Sequence, residues 1–320
     1  MTLDLELLIP NIIMEDINKN SMNTYISQLA ILTIKSLLPI EQSVGNKIDY
    51  IRFKEELKLW EEYCIGENIS LLNTLKSDNK SRYLNYFDET YYTRLIPIII
   101  ANKDFGIIEE EIIKNVLFFS GNIENLFEWL LIGVIIYLLI DNNEDIIYNL
   151  KEYIINFSQK EFMDRYKEYF QIEINTIPNT FKINFEKERI TLLNIFNDKK
   201  STKYHILMDL LRLVNTSNPS TSVGKIVYNS CKSVDFDSLD EFYININKYI
   251  LNLRKGRIDL EDLKINEYVL PDVFRFEEGD VFFHSLLNYS KVLKKEVSAD
   301  GLTSLISTKS GNYLFKRDPS

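Results

Sequence analysis

The sequence predicts a mainly α-helical protein with a small appendage of mixed structure at its C-terminus. Three observations carry this. Apolar residues recur every three or four positions through most of the chain, the period of an amphipathic helix. Leu126 to Ile140 is a fifteen-residue apolar run interrupted by Glu128 and closed by Asp141. As a helix it spans ~22 Å, short of a bilayer core, so it reads as the central helix of a packed interior. From Tyr268 the pattern changes to strand-like pairs, Val273-Phe274 and Val281-Phe282-Phe283, separated by turn signals such as Glu278-Gly279-Asp280. Residues 1–255 therefore read as a helical body and 256–320 as a C-terminal extension.

Taken in order, a helix runs from Tyr25 to Leu38 and stops at Pro39. Phe53, Leu57, Trp60 and Cys64 recur at spacings of four, three and four, with Gly66 as the stop signal. Ile108, Ile112, Val116 and Phe119 repeat that pattern, and Ser120 or Asn122 caps the apolar helix that follows. Amphipathic helices fit Asp145 to Phe157 and Lys160 to Phe170. Gln171 to Phe185 alternates loosely about Pro178-Asn179, as a hairpin or an extended excursion. Helices resume at Glu188 to Phe196, Tyr204 to Leu213, Val223 to Cys231 and Leu239 to Leu253. No fixed-period repeat argues for a solenoid. Ser307 to Ser320 carries Lys309, Lys316 and Arg317 beside Tyr313 and Phe315, and reads as a docking strand or a frayed terminus.

Composition narrows the function. The chain has 320 residues, 45% of them hydrophobic, enough for a large core. Its net charge of −10 disfavours nucleic acid or an anionic membrane as main partner, because phosphate binding needs a clustered positive field. The same charge suits a basic protein partner. Two cysteines far apart, Cys64 and Cys231, give no disulfide framework, and the first residues carry no basic n-region. Both features point to the cytoplasm. The bias toward Ile, Asn, Lys and Tyr suits an AT-rich bacterial or phage coding sequence.

The most informative stretch is Ser217 to Gly224, Ser-Asn-Pro-Ser-Thr-Ser-Val-Gly, a loop of small hydroxyl residues opening a helix. Such hydroxyls cap helix N–H groups or hold a metal or phosphate. A P-loop does not fit, since Pro219 stands in place of the first glycine and Ile226 in place of the Ser/Thr after the lysine. Earlier, Ser21-Met22-Asn23-Thr24 opens a helical run, and Arg94-Leu95-Ile96-Pro97 closes a third element.

These elements resemble, in order, motifs of the ADP-ribosylglycohydrolases. There a Gly-Gly-Asp-Thr-Asp-Thr loop precedes a Val-Gly-containing helix. Aligned on Val223-Gly224, the family's aspartates fall on Pro219 and Thr221, and its threonines on Ser220 and Ser222. The family's early Ser/Thr-Asp-Asp-Thr motif is matched by Ser21 and Thr24, with Met22 and Asn23 in place of the acids. Arg94 and Pro97 match the end of Asn-Gly-x-x-Met-Arg-x-x-Pro, with Glu89 and Thr90 in place of Asn-Gly. Trp60 falls where the family often has a tryptophan, and Ser120-Gly121-Asn122 lacks the histidine of a Thr-His motif. Twenty residues before Ser21 leave no room for the family's Gly-rich opening helix.

The resemblance implies an orthogonal multi-helix bundle over roughly residues 20–255. It also implies a cleft for ADP-ribosyl groups, vestigial here, lined by Ser21, Asn23, Thr24, Arg94, Ser220, Thr221 and Ser222. The family uses Mg2+. With the acids gone from both halves of the site, no cofactor is expected, since a Met does not serve a hard cation and an Asn brings no charge. The expectation is a pseudoenzyme that binds a protein partner, in an immunity, antitoxin-like or regulatory role, or binds ADP-ribose. An ADP-ribosyltransferase toxin is one such partner. Two alternatives stay open. An active hydrolase would draw carboxylates from Asp235, Asp237 or Asp88-Glu89. An unrelated helical scaffold would lack a cleft between the helices starting at Thr24 and Val223. The remaining candidates read more simply. Asp235, Asp237, Asp240 and Glu241 fit a capping box begun by Ser238, and Arg94 also reads as a buried structural arginine. His205 and His284 make no metal site by themselves.

Overall fold

Helix α1 (Leu8–Asn20) leads into α2 (Tyr25–Lys35), and the two pack side by side in the computed structural model. The structure describes residues 2–318 apart from 42, 67, 77–78, 179, 198, 215–217, 233–238 and 299–300. A short antiparallel ribbon of β1 (Leu37–Pro39) and β2 (Asn46–Ile48) follows, then α3 (Tyr50–Tyr63), α4 (Ile69–Leu75) and α5 (Lys80–Asn85). The centre is built by α6 (Tyr92–Ala101), α7 (Phe105–Phe119) and α8 (Ile123–Ile140), with α9 (Ile146–Asn156), α10 (Gln159–Tyr166) and α11 (Thr180–Phe196) packed beyond them. The body ends with α12 (His205–Val214), α13 (Ser222–Ser230) and α14 (Glu241–Arg254).

Burial explains the layering. Every residue of α6 is buried, and α8 contacts α6, α7, α9, α11 and α12. By length and apolarity α8 would pass as a membrane span, but 72% of it lies inside the protein. It is the core helix its composition predicts. An aromatic cluster joins α8 to the outer helices, with Phe127 4.8 Å from Phe185 and Phe157 5.8 Å from both. Stacked and edge-on pairs at such distances add about 1 kcal/mol each beyond their buried area.

After α14 the chain runs without regular structure to a short turn of helix at Val273–Arg275. A four-stranded antiparallel meander then follows: β3 (Val281–His284), β4 (Asn288–Ser298), β5 (Gly301–Thr308) and β6 (Gly311–Arg317), in sequence order. Its inner face carries Phe282, Val292, Ile306 and Phe315, all buried. Tyr313 and Phe315 pack on Tyr63 of α3 at 5.0 and 5.4 Å. Arg317 bonds both Asp272 and Glu62, and Lys35 reaches the Leu286 carbonyl. The last segment is therefore a docked strand.

Several boundaries depart from the sequence reading. The helix from Tyr25 ends at Lys35, three residues early, because Leu37 and Leu38 pair with Ile48 and Lys47 in the ribbon. Gln171 to Phe185 is neither hairpin nor extended. It holds a 3-10 turn at Ile174–Thr176 and the first part of α11, whose Phe181 and Phe185 are buried. The alternation there came from a one-sided apolar helix entered after Pro178. An opening helix does precede Ser21, for α1 fits within the first twenty residues without a glycine. Asn122 caps α8, accepting from Asn125 N–H, while the Ser120 hydroxyl donates to the Tyr86 carbonyl. Of the candidate acids, Asp235 and Asp237 lie outside the described residues, as do Ser217 and Ser238. Asp240 is the N-cap of α14.

Candidate functional site

The C-terminal end of α1 meets the N-terminal ends of α2, α6, α12 and α13 around a cleft of about 300 Å3. Its wall includes Glu15, Asp16 and Lys19 from α1, Tyr25 from α2, Glu89 and Thr90 ahead of α6, and His205 from α12. The far side is Ser220, Thr221 and Ser222 at the start of α13. The hydroxyl loop and the Thr24 region, distant in sequence, thus face one space.

A helix start leaves unpaired N–H groups and a partial positive charge. The starts of α2, α12 and α13 are each served by one carboxylate from another part of the chain, and at α6 a carboxylate holds the turn just ahead of the helix. Asp16, 2% exposed, accepts from Thr24 N–H (2.7 Å), Thr24 Oγ1 (2.6 Å), Ser27 N–H (3.1 Å), Ser27 Oγ (2.5 Å) and Asn20 Nδ2 (2.8 Å). Asp209 accepts from Ser220 N–H (3.0 Å), Ser220 Oγ (2.8 Å), Thr221 N–H (2.8 Å) and Thr221 Oγ1 (2.7 Å). Burial opposes ionisation of Asp209, but these bonds outweigh it and hold its carboxyl below the usual range. Glu128 Oε1 accepts from Ile206 and Leu207 N–H at 2.9 Å each. Burial pushes the Glu128 carboxyl up, with the two N–H bonds and nearby His205 acting the other way. Asp88 accepts from Thr90 N–H (2.9 Å) and Oγ1 (2.7 Å), and its other oxygen pairs with Arg94.

These bonds decide what the expected site residues do. Thr24 and Thr221 are N-caps whose hydroxyls also donate to Asp16 and Asp209. Ser220 is tied to Asp209, and Ser222 hydrogen-bonds the Tyr92 hydroxyl, which burial pushes above its ordinary value. Ser21 lies apart from the cleft wall. It ends α1 in the left-handed region, φ 61°, rather than opening α2. Asn23 accepts from the Ser27 hydroxyl and does not line the cleft. Arg94 is not on the cleft either. It is fully buried, paired with Asp88, with its guanidinium 5.1 and 4.6 Å from the Tyr91 and Phe119 ring centroids. A planar cation sandwiched by rings and charge-paired is a core element.

Gly224 has a steric reason. A Cβ there would stand 2.7 Å from Asp209 Oδ2 and from the Pro219 Cβ, and 2.9 Å from Thr221 Oγ1. Only glycine lets the first turn of α13 close over its carboxylate.

Mg2+ takes about six oxygen ligands with strict octahedral geometry and needs carboxylates with lone pairs to spare. Asp16 and Asp209 already accept four or more hydrogen bonds each, and Glu15 pairs with Lys225 at 3.5 Å. Among the described residues, no three His, Cys, Asp or Glu side chains converge as a metal-binding group. The donor set does not fit Mg2+. The wall charge is negative, with Glu15, Asp16 and Glu89 against Lys19, and it complements a basic group better than a diphosphate.

Sequence reasoning missed Asp16, Asp209 and Glu128. The signal was there for two of them. Asp209 stands alone in His-Ile-Leu-Met-Asp-Leu-Leu-Arg-Leu-Val, and Glu128 alone in the longest apolar run. A carboxylate on an apolar helix face must find donors or lose its charge. Asp16, among Glu15 and Lys19 on a mixed helix, gave no such contrast. Comparison with known proteins adds no identity: no family model, no curated protein and no solved structure matches this chain.

Proposed function

We propose that the protein acts by binding and not by catalysis, as an ADP-ribosylglycohydrolase-like helical bundle whose cleft has kept its shape and lost its metal chemistry. One observation carries the reading. Asp16 in the cleft wall, and Asp88, Glu128 and Asp209 behind it, are turned onto N–H and hydroxyl donors of the surrounding helices, which leaves no converging set of open ligands to position a sugar or activate water. The hydroxyls of Thr24, Ser220 and Thr221 are committed to the same bonds. What remains toward solvent is an acidic recess with Tyr25, Tyr92 and His205 in its wall. Together with the chain's net charge of −10, this favours a basic surface of a protein partner, as in an immunity, antitoxin-like or regulatory complex. An ADP-ribosyltransferase toxin is one partner of that kind, and an ADP-ribosyl group held without metal is the small-molecule counterpart.

Calorimetric titration of the purified protein with ADP-ribose, with and without Mg2+, tests the reading. The expected result is an affinity, whether measurable or nil, that Mg2+ leaves unchanged. Tight binding that appears only with Mg2+ would overturn it, because it would require ligands that the cleft wall does not offer.

A further inference from the structure

We propose that the outer face of helices α9 and α11 joins two copies of this chain in a two-fold symmetric dimer. The inference is independent of the cleft. Both helices bury one side, with Ile146, Leu150 and Ile154 on α9 and Phe185, Leu192 and Ile195 on α11. At about 100° per residue the opposite side carries Tyr148 and Ile155 on α9 and Ile183 and Ile190 on α11, each pair two turns apart. With Ile147 beside them, these five residues are 37–66% exposed. The helices pack side by side. Phe157 meets Phe185, and the Ile154 and Ile155 carbonyls accept from Arg189. The order is reversed between the two chains of contacts, so the helices run antiparallel, and Ile155 and Ile190 stand on adjoining turns. Single exposed apolar residues are ordinary, but five on one two-helix layer make a patch of the kind that marks an interface.

Charge selects the occupant. Each apolar pair encloses an exposed charge at the same spacing, Tyr148, Glu152, Ile155 on α9 and Ile183, Lys187, Ile190 on α11. Glu186 and Glu188 are taken by Arg189 and Lys203. Among the described residues, Glu152 and Lys187 have no ion-pair partner within 4 Å. Glu152 lies on the flank of α9 toward α7, next to Tyr153, whose hydroxyl donates to Glu109. Lys187 lies on the flank of α11 away from α9, across the isoleucines from Arg189. The two charges thus mark opposite rims of the layer. A two-fold axis parallel to the helices sets α9 of each copy on α11 of the other and exchanges the rims. Tyr148 and the isoleucines then meet at the centre, and Glu152 of each copy meets Lys187 of the other at the edge. Helices of 11 and 17 residues make a footprint of roughly 20 by 20 Å, among the smaller interfaces, so the expected affinity is micromolar. An anionic membrane would attract Lys187 but meet Glu152 and a chain of net charge −10. The outer face of the C-terminal sheet also exposes rings, Phe283 at 42% and Tyr289 at 76%, with exposed Lys291 and Lys294 further along β4. It lacks the matched pattern of α9 and α11.

The test is sedimentation velocity of the full chain from low micromolar to several hundred micromolar concentration. A dimer is expected to build up across that range, and I155S/I190S should stay monomeric. E152K and K187E should each weaken the dimer at least tenfold, since each reversal acts at two symmetry-related places. The double variant E152K/K187E should return to within threefold of the parent, and an equimolar mixture of the two single variants should associate. All substituted residues are exposed, so circular dichroism should match the parent. F283S/Y289S and cleft substitutions at Ser220 and Thr221 should leave association unchanged, which separates it from the sheet and from the cleft reading. A monomer at every concentration would overturn the proposal. So would a dimer that I155S/I190S leaves intact, or one that E152K/K187E fails to restore. Binding to phosphatidylserine vesicles that I155S/I190S abolishes, in place of self-association, would assign the face to a lipid surface instead.

Discussion

The cleft and the outer face of the C-terminal sheet use polar residues in opposite ways. At the cleft, carboxylates and hydroxyls face one another, and most are consumed in holding four helix starts together. On the sheet, lysines and aromatic rings stand in solvent with little to bind inside the molecule. The contrast teaches that polar residues in a recess are not by themselves a sign of chemistry. Asp16 and Asp209 are expensive to remove because they support structure, whereas Phe283 and Tyr289 are cheap to remove because they support none.

The comparison breaks first, and hardest, behind the cleft. Arg94→Met leaves the Asp88 carboxylate buried without its partner, and unfolding in denaturant should show a loss of about 4 kcal/mol. A loss below about 1 kcal/mol would mean the pair is not a buried support. Asp16→Ala strands the Thr24 and Ser27 N–H groups, and the same measurement should give about 3 kcal/mol. Gly224→Ala drives a methyl group into Asp209 and Pro219, with an expected loss of about 2 kcal/mol. Near-neutral stability there would show that the first turn of α13 is looser than described.

Much of the architecture was legible in the sequence because helical periodicity is a local signal. The core helix through Trp129 and Ile135, the stop near Gly66 and the change of pattern after Tyr268 all come from residues close in sequence. The hydroxyl loop was legible as a helix entry, and its meeting with the Thr24 turn was an expectation of the resemblance. What escaped was set by distance. Asp209 reaches Thr221 across twelve residues, and Glu128 reaches Leu207 across seventy-nine. No spacing rule links such pairs. Arg94 could be read as ligand contact or core, and only its burial decides for the core. The strand β6 was ambiguous because its docking depends on Tyr63, some 250 residues earlier.

A smaller effect sharpens the seam between sheet and body. His284 is buried, with Nδ1 accepting from Leu286 N–H, and burial, aided by the Lys35 charge, lowers its pKa to about 4. An unfolded histidine binds its proton near pH ~6.5, so between these values the unfolded chain holds more protons than the folded one. Stability should therefore fall as pH drops from ~6.5 toward 4, and hold above that window. His284→Asn keeps an acceptor and should flatten this part of the melting-temperature profile. An unchanged slope would assign the pH dependence to other groups. Smallest of all, F283S/Y289S should move stability by less than about 0.5 kcal/mol, and a larger loss would show that the outer face is part of the core.

The central claim, a cleft built for binding rather than turnover, is most directly tested by incubating the protein with an ADP-ribosylated arginine peptide and following release of ADP-ribose with Mg2+, with chelator and with neither. No release above the rate without protein is expected in all three. Release that rises with Mg2+ and vanishes with chelator would contradict it, and would point to carboxylates beyond Asp16, Asp88, Glu128 and Asp209.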